Sequence, residues 1–161
     1  MNENTELVSI DPGLKGCGMA LWKGGLLQKA LYVPNVPGGD FQEMQGRIVQ
    51  LLPGFPVKIS RDFLLAIELP QVYVTSRAKG DPNDLINLAV LVGALAQTFR
   101  EPQLFKPFEW KRNTPKPVME GRILKRLSAS EKTRIVLPIK SLAHNVIDAI
   151  GIGLHALGRL R

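Results

Sequence analysis

Short β-prone runs open the chain, and helix-spaced stripes follow them. Residues 6–10 form the first run and meet Asp11-Pro12-Gly13, a turn-forming triplet. Two more runs, 17–22 and 26–33, flank Lys23-Gly24-Gly25 and read as a hairpin about a glycine turn. Asp40 is placed to cap a helix reaching about Leu52, with Phe41, Met44, Ile48, Leu51 and Leu52 at near-helical spacing. Pro53-Gly54 would stop it. Residues 63–69 are a continuous apolar run broken by Glu68, the pattern of a buried central strand. Residues 70–82 read as a loop. Residues 83–100 predict a helix apolar nearly all round and therefore buried on two sides.

A strand is expected over 103–106 and a proline-rich loop over 107–117. An amphipathic helix is expected over 118–127, with Met119, Ile123 and Leu127 on one side and Arg122, Lys125 and Arg126 on another. A short helix or turn covers 131–137, and a last helix opened by Ser141 or Asn145 runs to near Arg161. Three strands in a meander, then helix, strand, helix, strand and helices, predict an α/β fold. Its sheet would be five-stranded and mixed, with the first three strands antiparallel and helices on both faces.

The 161 residues suit a single domain, and the sequence shows no internal repeat, low-complexity segment or inter-domain linker. The lone cysteine, Cys17, excludes an internal disulfide and fits a reducing, cytoplasmic compartment. No signal-peptide pattern opens the chain, so none is expected. The longest nearly apolar run, 85–96, is too short to span a membrane and carries Asn87.

Charge sharpens the picture. The net charge is +7, yet residues 1–70 carry 6 basic and 7 acidic side chains, while 71–161 carry 15 and 7. Ten of the basic residues lie between Lys106 and Lys140, against Glu109, Glu120 and Glu131. Such a concentration is the electrostatic footprint of a polyanion partner, although a solvated basic face has the same composition.

Three acids stand where core side chains are expected. Asp11 ends the first strand, Glu68 lies near the end of an apolar strand, and Asp148 sits in the nearly all-apolar stretch 146–157. A buried carboxylate must pair, protonate or hold a cation. No lysine or arginine in those three segments is an obvious partner. Taken singly, Asp11 could make an Asx-turn and the other two could cap or pair; converging, they would form a hard-oxygen site suited to magnesium or manganese. His144 and Asn145, four and three residues before Asp148, share its helical face and could add a ligand or orient a water. His155 reads as a partly buried structural histidine, and Gly151 and Gly153 as points of close packing on the sheet. Acids beside a basic surface suit two-ion phosphodiester hydrolysis, with the basic side chains holding the flanking backbone.

The segment Ile10-Asp11-Pro12-Gly13-Leu14-Lys15-Gly16-Cys17-Gly18-Met19-Ala20 resembles the opening of RuvC-type Holliday junction resolvases. Ala66-Ile67-Glu68 resembles their second acidic motif, and His144-Asn145-Val146-Ile147-Asp148-Ala149-Ile150 their C-terminal motif, in which an Asp-Ala pair opens the last helix. The resemblance covers nearly the whole chain. It implies an RNase H-like fold and a homodimeric, magnesium-dependent endonuclease that makes paired nicks in four-way DNA junctions. Asp11, Glu68 and Asp148 would be metal ligands, with His144 or Asn145 as the fourth member. The family commonly has Asp or His three residues before the final Asp; Asn145 takes that place here and His144 is displaced by one.

Tyr73 is the candidate for the family's junction-wedging aromatic, which usually comes sooner after the second acid. Arg77 and Lys79 share its loop. Lys111 and Lys116 resemble the family's basic loop, Arg112 accompanies them, and Trp110 reads as an anchor packing that loop. Arg122, Lys125 and Arg126 are the group expected to contact phosphate. Compactness hints at a phage-type member acting in the cytoplasm of a bacterial cell or phage-infected host. Two other readings share these residues: an RNase H-like nuclease acting on RNA or hybrids, and a non-catalytic branched-DNA binding module. The 83–100 helix, whose apolarity exceeds what one sheet face requires, is either the docking face for a second copy or a core helix roofed by the last helix. A sugar-kinase-like ATPase shares the acid-Pro-Gly opening but needs two domains.

Overall fold

A computed structural model describes residues 6–51, 63–72 and 81–160. β1 (Glu6–Asp11), β2 (Gly16–Lys23) and β3 (Leu26–Pro34) form the expected meander. Gly24 and Gly25 join β2 to β3 with φ of 56° and 78°. Two successive positive φ values match the right-handed twist of a hairpin, and glycine adopts them without a Cβ clash. α1 (Phe41–Gln50) follows, then β4 (Leu64–Glu68), α2 (Pro82–Thr98) and β5 (Arg100–Phe105). α3 (Pro107–Lys111), α4 (Lys116–Lys125), α5 (Ala129–Lys132) and α6 (Ala143–Ala156) complete the order.

The sheet runs β3-β2-β1-β4-β5. The β1–β2 and β2–β3 pairs are antiparallel, while β1–β4 and β4–β5 are parallel. The expected five-stranded mixed sheet is therefore present, with helices on both faces. Strand alternation explains the layering. Val8, Ile10, Leu65 and Ile67 face α1 and α2, packing with Met44, Ile48, Leu91 and Leu95. Leu7, Leu64 and Ala66 face the other way, into a core with α6, Trp110, Met119 and Ile123. Burying a side chain such as Ile123 contributes roughly 1.5–3 kcal/mol.

The helix caps follow the sequence. Asp40 and Glu43 form a reciprocal capping box at α1, as Asp40's position predicts. Met119, Ile123 and Leu127 are buried while Arg122, Lys125 and Arg126 are exposed, as helical spacing predicts. Gly151 packs on Trp110 and Ile123, and Gly153 on Trp22 and Ser9, so neither position has room for a Cβ.

Several expectations are corrected. The 107–117 stretch is not a loop: Pro107 opens α3, and Pro117 lies at the start of α4. Proline fits the first turn, where no intrahelical N–H is needed. α2 is buried along one side only, through Leu91, Val92 and Leu95, while Ile86 and Val90 are 61% and 42% exposed. The last helix begins at Ala143, after the N-cap Leu142, and ends at Ala156. Asp148 is therefore well inside it rather than at its opening. β5 starts three residues earlier than expected, with an irregular register against β4. The predicted helix stop at Pro53-Gly54 lies outside the described residues.

Candidate active site

Alternation and register bring two acids together. Leu7, Ser9 and Asp11 share one face of β1, and Leu64, Ala66 and Glu68 share the same face of β4. The parallel register pairs Ser9 with Ala66 and Ile10 with Ile67, so its continuation sets Asp11 beside Glu68. Asp11 also pairs with Gly18 across β2. A Cβ at Gly18 would overlap the Asn145 carbonyl, so glycine here lets the first turns of α6 lie directly on the sheet beside Asp11. A hydrogen-bond relay holds the helix there. Trp22 Nε1 donates to Ser9 Oγ at 2.8 Å, and Ser9 Oγ donates to the Ala149 carbonyl at 2.8 Å. Ser9 is thus two residues before Asp11, and its acceptor is next to Asp148.

The turn after Asp11 is held by sulfur. The Gly13 N–H donates to Cys17 Sγ at 3.4 Å, so this amide does not close an Asx-turn onto Asp11. Burial pushes the Cys17 thiol up to about 12, which makes it an inert packing group. Among the described residues, the Asp11 carboxylate has no hydrogen-bond or ion-pair partner. Burial, reinforced by the charges of Asp148 and Glu68, raises its carboxyl well above the ordinary range. Burial also raises Asp148, against the opposing pull of Lys111, Lys116 and His144.

A lysine from outside the three acidic segments supplies the missing positive charge. Lys111 Nζ lies 3.0 Å from Glu68 Oε2 and 3.8 Å from Asp148 Oδ2. Burial opposes its charge, but Glu68 and Asp148 outweigh burial and raise its pKa. Lys111 is therefore ion-paired rather than simply solvated. Trp110, buried as the expected anchor, donates Nε1–H to Glu68 Oε2 at 2.7 Å. Lys111 Nζ also lies 4.7 Å from the Trp110 ring centroid.

The site opens into a groove of about 790 Å³, lined by Lys111, Arg112, Lys116, Phe108, Met119 and Asp148 among others. Arg112, just past the end of α3, has φ 50°. A non-glycine residue seldom adopts that value, which often marks a functional position. Arg122, Lys125 and Arg126 line an adjoining depression on α4. His144 reaches Asp148 electrostatically, and Asn145 presents its backbone to Gly18. Among the described residues, neither side chain hydrogen-bonds an acid. His155 stacks edge-on to Phe105 with centroids 4.8 Å apart, the structural role expected of it. Tyr73, Arg77 and Lys79 lie outside the described residues. Among the described residues, no three His, Cys, Asp or Glu side chains form a ready-made metal cage. Two of the acids already converge on one cation, the Lys111 ammonium, and the donor set of carboxylate oxygens fits a hard divalent ion.

Ser9 and Glu131 escape a reading by sequence pattern. Ser9 is a buried hydroxyl within an apolar strand. Glu131 is 2% exposed and bonds Arg159, Ser128 and the Leu27 N–H, tying the α5 segment to β3. Ser128-x-x-Glu131 is a capping-box signature, which was the available signal for the second.

No protein-family model and no curated protein sequence matches the chain. Solved structures do. The chain is similar to Thermus thermophilus RuvC in complex with a Holliday junction substrate, at 19% identity and TM-score 0.61, covering 96% of this chain and 94% of that one. A second Thermus thermophilus RuvC structure gives 19% identity and TM-score 0.58, covering 95% and 94%. The yeast mitochondrial Holliday junction resolvase Ydc2 gives 11% and 0.54, covering 98% and 82%. The chain therefore has the RNase H-like fold of the RuvC type over nearly its whole described length.

Proposed function

We propose that this chain is a metal-dependent endonuclease that resolves four-way DNA junctions, with one nick made by each of two copies. One observation carries the reading: Glu68 and Asp148 meet at Lys111 beside a groove lined by Lys111, Arg112 and Lys116, and Asp11 at the end of β1 feels the charge of both acids. The likeness to RuvC solved with a Holliday junction substrate supports the substrate class.

Asp11, Glu68 and Asp148 would hold magnesium or manganese, with His144 or Asn145 completing the set. When bound, divalent ions supply an activated water and a counter-charge for the leaving oxygen. The protein's own groups do the rest. Asp11 is half-buried and its carboxylate has no bonded partner among the described residues, so a cation would keep it ionised. Trp110 fixes one oxygen of Glu68 and thereby its orientation. Lys111, Arg112 and Lys116 hold the phosphodiester at the groove, and Arg122, Lys125 and Arg126 hold the neighbouring backbone.

Paired nicks need two sites, and each chain contributes one acid cluster. The outward side of α2 presents Ile86, Ala89, Val90 and Gly93, an exposed apolar stripe at helical spacing. This stripe is the contact assigned to a second copy related by twofold symmetry. Among the described residues, no helix is long and apolar enough to cross a membrane.

The test is cleavage of a four-way DNA junction, a linear duplex, a flap and an RNA–DNA hybrid with magnesium. The junction should be cut in preference to the rest. Equal cutting of duplex and junction contradicts junction resolution. Preferred cutting of the hybrid assigns an RNase H-like activity, and binding without cutting assigns a binding module.

A further inference from the structure

We propose that Lys111 is the internal cation of the acid site. Its ammonium and a divalent metal ion are alternative occupants of the space between Glu68 and Asp148, and metal entry turns the lysine out into the groove. The inference rests on the three acids being metal ligands.

The ammonium bridges the two acids, at 3.0 Å and 3.8 Å. A magnesium ion takes oxygen ligands at ~2.0–2.1 Å and demands near-octahedral geometry. Drawing Glu68 and Asp148 to that distance closes the gap the ammonium fills, and two cations against the same carboxylates repel. Conversely, three neighbouring carboxylates with no cation repel one another. Lys111 relieves that repulsion while the acids wait for metal. Lys116, whose charge also reaches Asp11 and Asp148, makes no ion pair with them among the described residues.

The lysine has somewhere to go. It is the last residue of α3, its side chain is 29% exposed, and it lines the groove into which the acids open. Its flexible four-carbon stem allows the ammonium to swing without moving the helix. The Trp110 bond to Glu68 Oε2 survives the exchange and keeps that carboxylate aimed at the site. Lys111 is thus a positioning residue that couples cation entry to phosphate capture: the released ammonium faces the groove assigned to the phosphodiester.

The test is Mn2+ binding to the full chain without DNA, by calorimetry, for the wild type, Lys111→Met and Lys116→Met. Lys111→Met should bind Mn2+ roughly tenfold tighter, and Lys116→Met should change affinity by less than about threefold. In parallel, amine acetylation of the wild type is read by mass spectrometry. Saturating Mn2+ should increase labelling of Lys111 and leave Lys125 unchanged. Unchanged or weaker Mn2+ binding by a folded Lys111→Met overturns the proposal, as does Lys111 labelling that stays level or falls. If Lys111→Met does not fold, wild-type labelling decides. A wild type that binds Mn2+ and cuts junctions while either test fails sinks this proposal alone. Absence of Mn2+ binding by both the wild type and Lys111→Met sinks the metal-site reading with it.

Discussion

Trp110 Nε1 donates to Glu68 Oε2 at 2.7 Å, and the next residue, Lys111, reaches the same oxygen at 3.0 Å. Two consecutive residues of α3 therefore set one carboxylate on the end of β4. Trp110→Phe keeps an aromatic ring in the core but removes the donor, and a hydrogen bond to a charged group contributes about 1.5–3 kcal/mol. Single-turnover junction cleavage should slow by roughly 10- to 100-fold if that energy orients Glu68 for reaction. Junction affinity should hold. An unchanged cleavage rate would show that Glu68 is oriented by something else.

Glu131 predicts the acid limb of stability. Burial alone would raise its carboxyl, but bonds from Arg159, the Leu27 N–H and Ser128 outweigh burial and hold it down to about 2. A depressed carboxylate stabilises the fold fully above its unfolded value of about 4.3, and that contribution is lost as pH falls toward 2. The loss is on the order of 3 kcal/mol between about pH 5 and pH 2. Urea unfolding across this range should show it, and Glu131→Gln should be less stable at pH 7 with a flatter acid limb. Identical acid limbs for the two proteins would remove Glu131 as the cause.

The outcome at Glu131 shows what sequence pattern carries and what it hides. Asp11, Glu68 and Asp148 stand out because each interrupts an apolar run, but it takes the parallel β1–β4 register as well as strand alternation to put the first two on one face. The antiparallel meander follows from short connections and the hairpin glycines, whereas the pairing of β4 with β1 is seen only in the fold. Lys111 stands out as a basic-loop residue, but its pairing with the acids does not, because its partners lie 43 and 37 positions away on other elements and nothing local requires them. Its helix was hidden as well: prolines at 107 and 117 read as loop residues until their place in the first helical turn is known. α2 misleads in the opposite direction. Its all-round apolarity reads as two-sided burial, but one side faces outward. Ser9 is indistinguishable by pattern from any tolerated strand serine; only the crossing of α6 over β1 gives its hydroxyl a role.

The basic face of α4 predicts salt dependence. Arg122, Lys125 and Arg126 are exposed and line one depression. Neutralising all three should weaken junction binding and lower the slope of log affinity against log salt by up to about 0.9 for each phosphate that is no longer neutralised. Thermal unfolding should be nearly unchanged, because none of the three is buried. Unaltered affinity would place the DNA on a different face.

The outward stripe of α2 predicts assembly. Ile86→Asp combined with Val90→Asp puts two charges into the apolar contact, at positions already 61% and 42% exposed in one chain. Sedimentation should show a dimer for the wild type and a monomer for the variant, with the fold retained. A monomeric wild type, or a variant that remains dimeric, contradicts the assignment of this face.

The most direct measurement compares junction cleavage by the wild type and Asp148→Asn, in magnesium and at saturating protein. The variant keeps the shape of the side chain and removes its charge beside Glu68 and Lys111. The wild type should cut the four-way junction in paired nicks, while the variant binds it with similar affinity and cuts it at least about 100-fold more slowly. Equal cutting by both proteins would contradict the assignment of the acids as the catalytic centre.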